Sequence, residues 1–381
     1  MLAVANPPPT DRQGLIARAR SAMLDPAGIP APLAIEPWIV RSWQRCLAGG
    51  HHPGQAVGFN VVTAALLRRT ADQHAGLLRA ARPVLAQLAR AIAGMRYFAL
   101  MTDAHGVVID VQGAVDHREP RARAIGRVGI DLSEAAVGTT AIGAALAELQ
   151  PVWLHRGEHF FDANGGYSCA GAPLFGPHGE CLGMLDLTGV DVPERPELRH
   201  LVARSARAIE DALLVQLPHA LLLRINWPGS TLGSEADGLL ALDADGTVVG
   251  TNSMARQLLP QPLHPAGTHL HCSDLLALPW PLLFDAAQRK GGRPLELPLW
   301  SGLRMQGLAL LPHPNRAAGV GALPIAPRPA APVQVAASPA PLRAAETALI
   351  RQAVQDARGN VAEAARTLGI SRATVYRKLG A

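Results

Sequence analysis

Lysine is almost missing from this sequence: Lys290 and Lys378 are the only two, so the basic side of the chain is carried by arginine. With 35 Lys and Arg against 30 Asp and Glu, the net charge of +5 is too small to announce a nucleic-acid partner by itself, and the local distribution has to decide. Cysteine is sparse too. Cys46, Cys169, Cys181 and Cys272 stand far apart with no CxxC pair, which excludes a disulfide framework and a thiolate zinc site. No apolar run approaches the length that crosses a bilayer, and the opening MLAVANPPPT has neither a basic n-region nor a continuous apolar h-region, so a cytoplasmic protein is expected. Neither lysine follows a glycine: Arg289 precedes Lys290 and Arg377 precedes Lys378. A GxxxxGK[ST] phosphate loop is therefore excluded from these 381 residues, and with it an ATPase of that type.

What is present is enough apolar material for sizeable cores, 49% of a chain long enough for two or three domains. Residues 11–48 read as helical, with Trp38, Ile39, Trp43 and Leu47 of EPWIVRSWQRCL at helical spacings. The helical pattern resumes from Val61 to Gly94, where Pro83 is expected to kink or interrupt it. The period then changes. YFALMTDAHGVVIDVQG reads as a β-hairpin around DAHG, and AGAPLFGPHGECLGMLDLTG as a second around Pro177 and Gly179. Between them SEAAVGTTAIGAALAELQPVWL reads as a helix and a strand, and residues 195–217 as a long closing helix with Leu198, Leu201, Val202, Ser205, Ala208, Ile209, Ala212 and Leu213 on one face. Strand pairs enclosing helices predict an α+β sensor with an antiparallel sheet. Further on, GLLALDADGTVVGTNSMARQLL reads as strand, turn, strand and a short helix capped by Asn252 or Ser253. Residues 324–341, PIAPRPAAPVQVAASPAP, have the composition of an extended linker.

The last forty residues differ in texture. Leu342, Leu349, Ile350, Ala353 and Val354 recur at helical spacing until Gly359; Asn360 can cap a second helix with Glu363 completing a capping box. Ala364, Ala365 and Leu368 give that helix a small inner face, LGIS turns the corner, and Ser371 caps a third helix. Val375 and Leu379 face inward there, leaving Arg372, Thr374, Arg377 and Lys378 outward, the layout of a helix-turn-helix. Residues 342–381 carry seven basic residues against Glu346, Asp356 and Glu363, so local charge points to DNA where global charge did not.

GNVAEAARTLGISRATVYRKL resembles the Fis-type helix-turn-helix that ends bacterial enhancer-binding regulators. That resemblance implies base-edge or nearby phosphate contacts for Ser371, Arg372 and Thr374, and phosphate contacts for Asn360, Arg377 and Lys378. It also implies a homodimer paired through the preceding helix. Upstream, RSWQRC, LMTDAHGVVIDVQG, EAAVGTTAIGAAL, GEHFF and CAGAPLFGPHGECLGMLDLTG are similar to the GAF region of acetoin-catabolism-type regulators, and residues 238–311 more loosely to a shortened PAS domain. Members of that family carry a central AAA+ motor that works on sigma-54 polymerase. The missing Gly-Lys pair means this chain holds no such motor.

Several residues invite chemistry. Cys169 with His155, Glu158 and His159 has the makings of a nucleophile and base or of a metal cluster, but a small pocket or core cysteine with turn histidines is the simpler reading. Cys272 with His269 and His271 is too short a run for a metal site without a second cluster, and His51–His52 is weaker still. The expected protein is thus an α+β multidomain regulator: an N-terminal helical segment (1–76), a GAF-like sensor with an antiparallel sheet (77–217), a PAS-like small domain (235–312), a linker (313–341) and an all-α C-terminal helix-turn-helix (342–381). Double-stranded DNA and an unidentified small-molecule effector are its expected partners, with Cys169 and His159 as ligand-pocket candidates. RNA polymerase or a motor-bearing regulator is a further candidate partner. No cofactor, metal, membrane contact or catalytic residue is expected. An enzyme built around Cys169 and a dimeric adaptor without DNA affinity are the alternatives.

Overall fold

The computed structural model describes residues 9–24, 35–259, 270–289 and 293–312, together with 353, 354, 357, 361–367, 372 and 375. The chain divides into two units, Met1–Leu323 and Pro324–Ala381. The 313–341 segment expected as a linker lies outside the described residues.

The first unit is built on two five-stranded antiparallel sheets. Four helices lead in: α1 (Pro9–Leu24), α2 (Pro37–Ala48), α3 (Ala64–Gln73) and α4 (Ala75–Ile92). Then come β1 (Tyr97–Asp103), β2 (Val108–Gln112), α5 (Pro120–Ile125), α6 (Glu134–Val137), α7 (Ala141–Glu148), β3 (Val152–His155), β4 (Tyr167–Phe175), β5 (Cys181–Val190) and α8 (Leu198–Val215). Strand order is β2-β1-β5-β4-β3, and both expected hairpins are present, β1 with β2 and β4 with β5.

Period-two alternation sorts this sheet's side chains between two cores. Tyr97, Ala99, Met101, Ala170, Ala172, Leu174, Leu185 and Leu187 pack with α4 and α8. Phe98, Leu100, Tyr167, Cys169 and Met184 point the other way, into a core completed by Val137, Ala141 and Ile142 and by Ile16, Trp38, Ile39 and Trp43 of α1 and α2. The residues ahead of 77, expected as a separate helical segment, thus wall the second face of the sheet. Pro83 neither ends nor interrupts α4, which runs unbroken through it.

The second sheet contains β6 (Leu221–Asn226), β7 (Gly238–Leu242), β8 (Val248–Thr251), β9 (Leu295–Pro298) and β10 (Arg304–Leu310), in the order β8-β7-β6-β10-β9. Short helices α9 (Ser253–Leu258), α10 (Cys272–Leu275) and α11 (Pro281–Gln288) lie between its strands in sequence. Its central strand, β6, lies ahead of the 235–312 span. LLLRIN directly after a helix is too short an apolar run for periodicity to separate it from that helix. Asn252 caps α9, accepting the Ala255 N–H at 2.8 Å.

The two sheets are joined by α8. Glu210 and Asp211 of α8 are both buried. Glu210 accepts the Phe175 N–H at 3.1 Å from the first sheet and the Ser253 N–H at 3.2 Å from the start of α9, beside the second. Asp211 accepts Asn252 Nδ2 at 2.8 Å, and Thr251 N–H donates to the Pro177 carbonyl at 2.8 Å. Burial raises the pKa of both acids, that of Asp211 to about 7.

One turn is used twice. In DAHG the Asp103 carboxylate accepts the N–H groups of His105 and Val107, both at 2.9 Å; in DADG Asp243 accepts those of Asp245 at 3.0 Å and Thr247 at 2.8 Å. Each ends on a glycine in the left-handed region, Gly106 at φ +85 and Gly246 at φ +86. A Cβ on Gly246 would stand 2.8 Å from His271 Nε2 and 3.1 Å from the Trp280 ring. Among the described residues no helix is long and apolar enough to cross a membrane.

In the second unit, the helix Val361–Thr367 buries Ala365 against Val375, with Val354 and Val361 packed beside them. Arg372 is helical and exposed.

Gly246→Ala is expected to lower stability by about 1–3 kcal/mol through strain at a left-handed position and crowding, read as a lower urea midpoint. Gly54, with no neighbour within 4 Å of a built Cβ, is the control, and Gly54→Ala should leave the midpoint unchanged.

Candidate functional site

The motifs that carry the sensor resemblance lock onto one another. From RSWQRC on α2, Ser42 Oγ donates to Glu134 Oε2 at 2.6 Å and, its only proton used, accepts from Thr139 Oγ1 at 2.8 Å, and Arg45 grips both Glu134 oxygens at 2.6 and 2.9 Å. Trp43 Nε1 donates to the Glu158 carbonyl at 2.8 Å, tying GEHFF to the same helix. From α1, Arg20 reaches the carbonyls of Gly157, His159 and Phe160 and the carboxylate of Asp162, while Arg12 pairs with buried Glu158. Gly138, at φ +67, lets the chain turn between α6 and α7; a Cβ there would stand 2.7 Å from the Phe161 ring.

Beside these contacts lies a pocket of about 20 Å³ between the sheet and α7. Phe59, Leu100, Ile125, Leu132, Ala141 and Ile142 supply apolar wall. Cys169 and Tyr167 of β4, Asp186 and Thr188 of β5, and Thr140, His159 and Asn164 supply the polar part. Asp186, His159 and Asn164 are 0%, 1% and 2% exposed, and each presents an atom with no hydrogen-bond partner: Asp186 Oδ1, His159 Nε2 and Asn164 Oδ1.

The existing bonds fix what these atoms can do. His159 Nδ1 lies 2.9 Å from the Arg156 carbonyl, which only accepts, so Nδ1 carries the proton. Burial pushes the ring's pKa down to about 4, so it is neutral and Nε2 is an acceptor. Asn164 Nδ2 donates to the Val137 carbonyl at 3.0 Å, leaving Oδ1 as acceptor. The Thr188 hydroxyl donates to Asp186 Oδ2; its only proton is thereby used, so Cys169 Sγ, 3.4 Å from Thr188 Oγ1, is the donor in that contact. Burial raises the Asp186 pKa to about 7.

The structure brings Cys169 and His159 to one cavity. It does not arm them as nucleophile and base: burial first, then the charge of Asp186, pushes the Cys169 thiol well up, the reverse of thiolate activation. His155 lies elsewhere, stacked 5.8 Å from Trp153. Among the described residues no group of three or more His, Cys, Asp or Glu could hold a metal. His271 is committed to its own loop: Nδ1 accepts the Ser273 N–H at 3.1 Å and Nε2 faces the Asp245 carbonyl at 2.7 Å. His269 lies outside the described residues. Sequence reasoning missed Asp186 and Asn164. An Asp in the middle of the apolar strand CLGMLDLTGV was the available signal, since a carboxylate facing a core has to be partnered or functional. A larger surface groove of about 250 Å³, lined by Ala93, Arg96, Asp116 and Glu119 among others, has no such unpartnered atom on its walls.

Of the expected DNA-contacting residues, Arg372 is described, exposed on a helical turn with Val375 buried three residues on. Asn360, Ser371, Thr374, Arg377 and Lys378 lie outside the described residues.

A buried acid whose folded pKa is raised from 3.8 to about 7 costs stability when ionised; the cost is present above pH 7 and fades as the pH falls toward 4. Asp186→Asn should therefore be more stable than the parent at pH 8, with the difference closing as pH falls through 7. Depressed pKa values at His155 and His159 act oppositely between pH 6.5 and 4, but are common to both proteins and cancel in the difference. Paired urea titrations from pH 5 to 8 check this.

Comparison with known proteins gives two family matches: residues 8–211 to the MimR N-terminal domain, and residues 341–381 to the bacterial regulatory protein, Fis family. The acetoin catabolism regulatory protein of Cupriavidus necator is 29% identical over 307 residues, covering 78% of this chain and 45% of that protein. The propane 2-monooxygenase operon transcriptional activator MimR of Mycolicibacterium goodii is 33% identical over 208 residues, covering 54% of this chain and 34% of its own. This chain thus spans less than half the length of these relatives. Among solved structures, the E. coli DhaR(N)–DhaL complex aligns over 73% of this chain and 100% of its own at 15% identity and a TM-score of 0.45. With more than half of its residues matched to one family model, the chain belongs to the MimR N-terminal-domain family, and it carries a Fis-family segment at its C-terminal end.

Proposed function

We propose that this protein is a sequence-specific, DNA-binding transcriptional regulator that answers a small-molecule effector held in the pocket beside its first sheet. The observation that carries the reading is the Fis-family match over residues 341–381, in which Arg372 stands exposed where Ala365 and Val375 form a small buried core. A helix of that size reads few bases, so selective binding calls for two copies on two half-sites and hence a homodimer. Ser371, Arg372 and Thr374 meet base edges or nearby phosphates, and Asn360, Arg377 and Lys378 hold phosphate. Acetoin catabolism, in the name of one relative, makes acetoin the first effector to test.

Within these residues there is no Gly-Lys phosphate loop, so this stretch of chain opens no promoter by hydrolysing ATP. It acts by occupying DNA, by touching RNA polymerase, or beside a motor-bearing regulator. An enzyme using Cys169 is disfavoured by the buried, protonated thiol.

Arg372→Ala with Thr374→Ala is expected to collapse sequence preference while fold and dimer persist, measured by binding to operator and scrambled duplexes after genome-wide mapping of bound DNA has supplied the operator. Unchanged preference overturns the assignment. Lys378→Ala should weaken binding across all sequences and flatten the slope of log K against log salt by about one unit, which a salt titration reads directly.

A further inference from the structure

The first unit uses its arginines in two ways. On the α1 and α2 side they are paired across elements, Arg12 with Glu158, Arg20 with Asp162 and Arg45 with Glu134 and Glu148. On the other side of the sheet α4 and α8 pack against each other, and their apolar stripes are spent on one core, Leu77, Ala81 and Leu85 from α4 with Val202, Ala206 and Ile209 from α8. The side of each helix turned away from that core carries positive charge. Arg79, Arg82 and Arg90 are exposed along α4, a helix without Asp or Glu, and none of the three has an ion-pair partner among the described residues. His200, Arg204 and Arg207 succeed one another at i, i+4 and i+7 along α8, so they share one side of it. Arg204 pairs with Glu235 at 2.9 Å, and Arg207 Nε has no hydrogen-bond partner. The two acids of α8, Glu210 and Asp211, are buried and add nothing to its outer face.

We propose that the outer face of α4 and α8 is a second, sequence-independent contact for the phosphate backbone of duplex DNA. This goes beyond the function proposed above and rests on its DNA partner, since a duplex held by one segment of a chain is presented to the rest of that chain at high local concentration. From Arg79 to Arg90 the helix rises about 16 Å, and packed helices lie about 8–10 Å apart, so the charge forms a ridge rather than a point. A duplex offers one phosphate charge per about 1.7 Å of its axis, and a guanidinium fork matches phosphate oxygens in pairs. Other occupants fit this face less well. A protein partner needs large apolar anchors, and among the described residues Val215, at the far end of α8, is the large apolar side chain exposed on either helix. A second copy on a two-fold axis would set arginine against arginine. A lipid surface takes an amphipathic helix by its apolar stripe, and both stripes are buried on the sheet.

The test is a salt titration of the full chain binding a long, fluorescent, random-sequence duplex. Arg79→Gln, Arg82→Gln and Arg90→Gln together should flatten the slope of log K against log salt by about two to three units, because each neutralised phosphate contributes about 0.9. Lysine at the same three positions should keep the parent's slope, since an ammonium group neutralises phosphate too. Arg118, Arg123 and Arg127 are exposed around α5, whose Ala122 and Ile125 pack on the opposite face of the sheet. Changing these three to Gln removes the same charge elsewhere and should move the slope by less than about half a unit. An unchanged slope in the α4 variant, or equal flattening by the α5 set, overturns the proposal and leaves the C-terminal segment as the DNA contact. Binding to phosphatidylglycerol vesicles that the α4 variant loses while its DNA slope stays put overturns it in favour of a lipid surface. A dimer that sedimentation shows to dissociate on loss of the three arginines, again with the slope unmoved, overturns it in favour of a second copy. Failure of the parent to bind any duplex at low salt overturns the DNA-binding function itself, and this proposal with it.

Discussion

The wall of the sensor cavity hangs on one carboxylate. Glu134 accepts Ser42 Oγ and the Nε and Nη2 of Arg45, so α2 is fastened to the start of α6 by three charge-assisted hydrogen bonds. The position of α6 in turn sets α7 and the cavity side chains. Gly143 of α7 sits so close that a side chain there would meet the Glu134 Cβ at 2.8 Å, and the carbonyl of Val137 at the end of α6 holds Asn164 in the cavity. A sheet can be packed by any helix with an apolar stripe. This one needs a particular helix at a particular height, because polar atoms on β5 face a space that the helices must close without filling.

Closing without filling is costly. An unpartnered buried polar atom carries a desolvation penalty of about 1–3 kcal/mol, and three of the residues that line one small pocket each hold such an atom. The surrounding core is conventional, with Val137, Ala141, Leu154 and Met184 fully buried, so the fold has the means to bury leucine where it buries Asp186. A local breach of packing rules inside an otherwise consistent core sets this pocket apart from the rest of the scaffold. The same contrast separates Glu210 and Asp211 from Asp186. All three are buried acids, but the first two have their partners in the neighbouring strands and loops and serve as joints.

Much of this architecture was legible in the sequence. The change from helical to alternating period at Tyr97, the two Asp-to-Gly turns, the DNA-reading segment and the cap at Asn252 follow from local chemistry, which acts over a few residues and leaves its mark in order. Cys169 and His159 were named from residue type. Asp186 and Asn164 were not, because what marks them is the lack of a partner, a property of the folded molecule. β6 was missed because its alternation is hidden by being buried on both faces. Of the kink or interruption expected at Pro83, the interruption does not occur: packing of Leu77, Ala81, Leu85 and Leu88 against the sheet holds α4 together across it.

The shared ownership of α8 bears on how such proteins can be recombined. Its apolar face belongs to the first sheet, while Glu210 and Asp211 near its end accept hydrogen bonds from Ser253 and Asn252 beside the second. A splice placed between α8 and β6, where the chain offers its obvious seam, would separate Asp211 from Asn252 and leave Glu210 with the Phe175 N–H but without that of Ser253. A sensor moved onto another protein would therefore have to carry the end of α8 and the TNS corner at 251–253 as one piece.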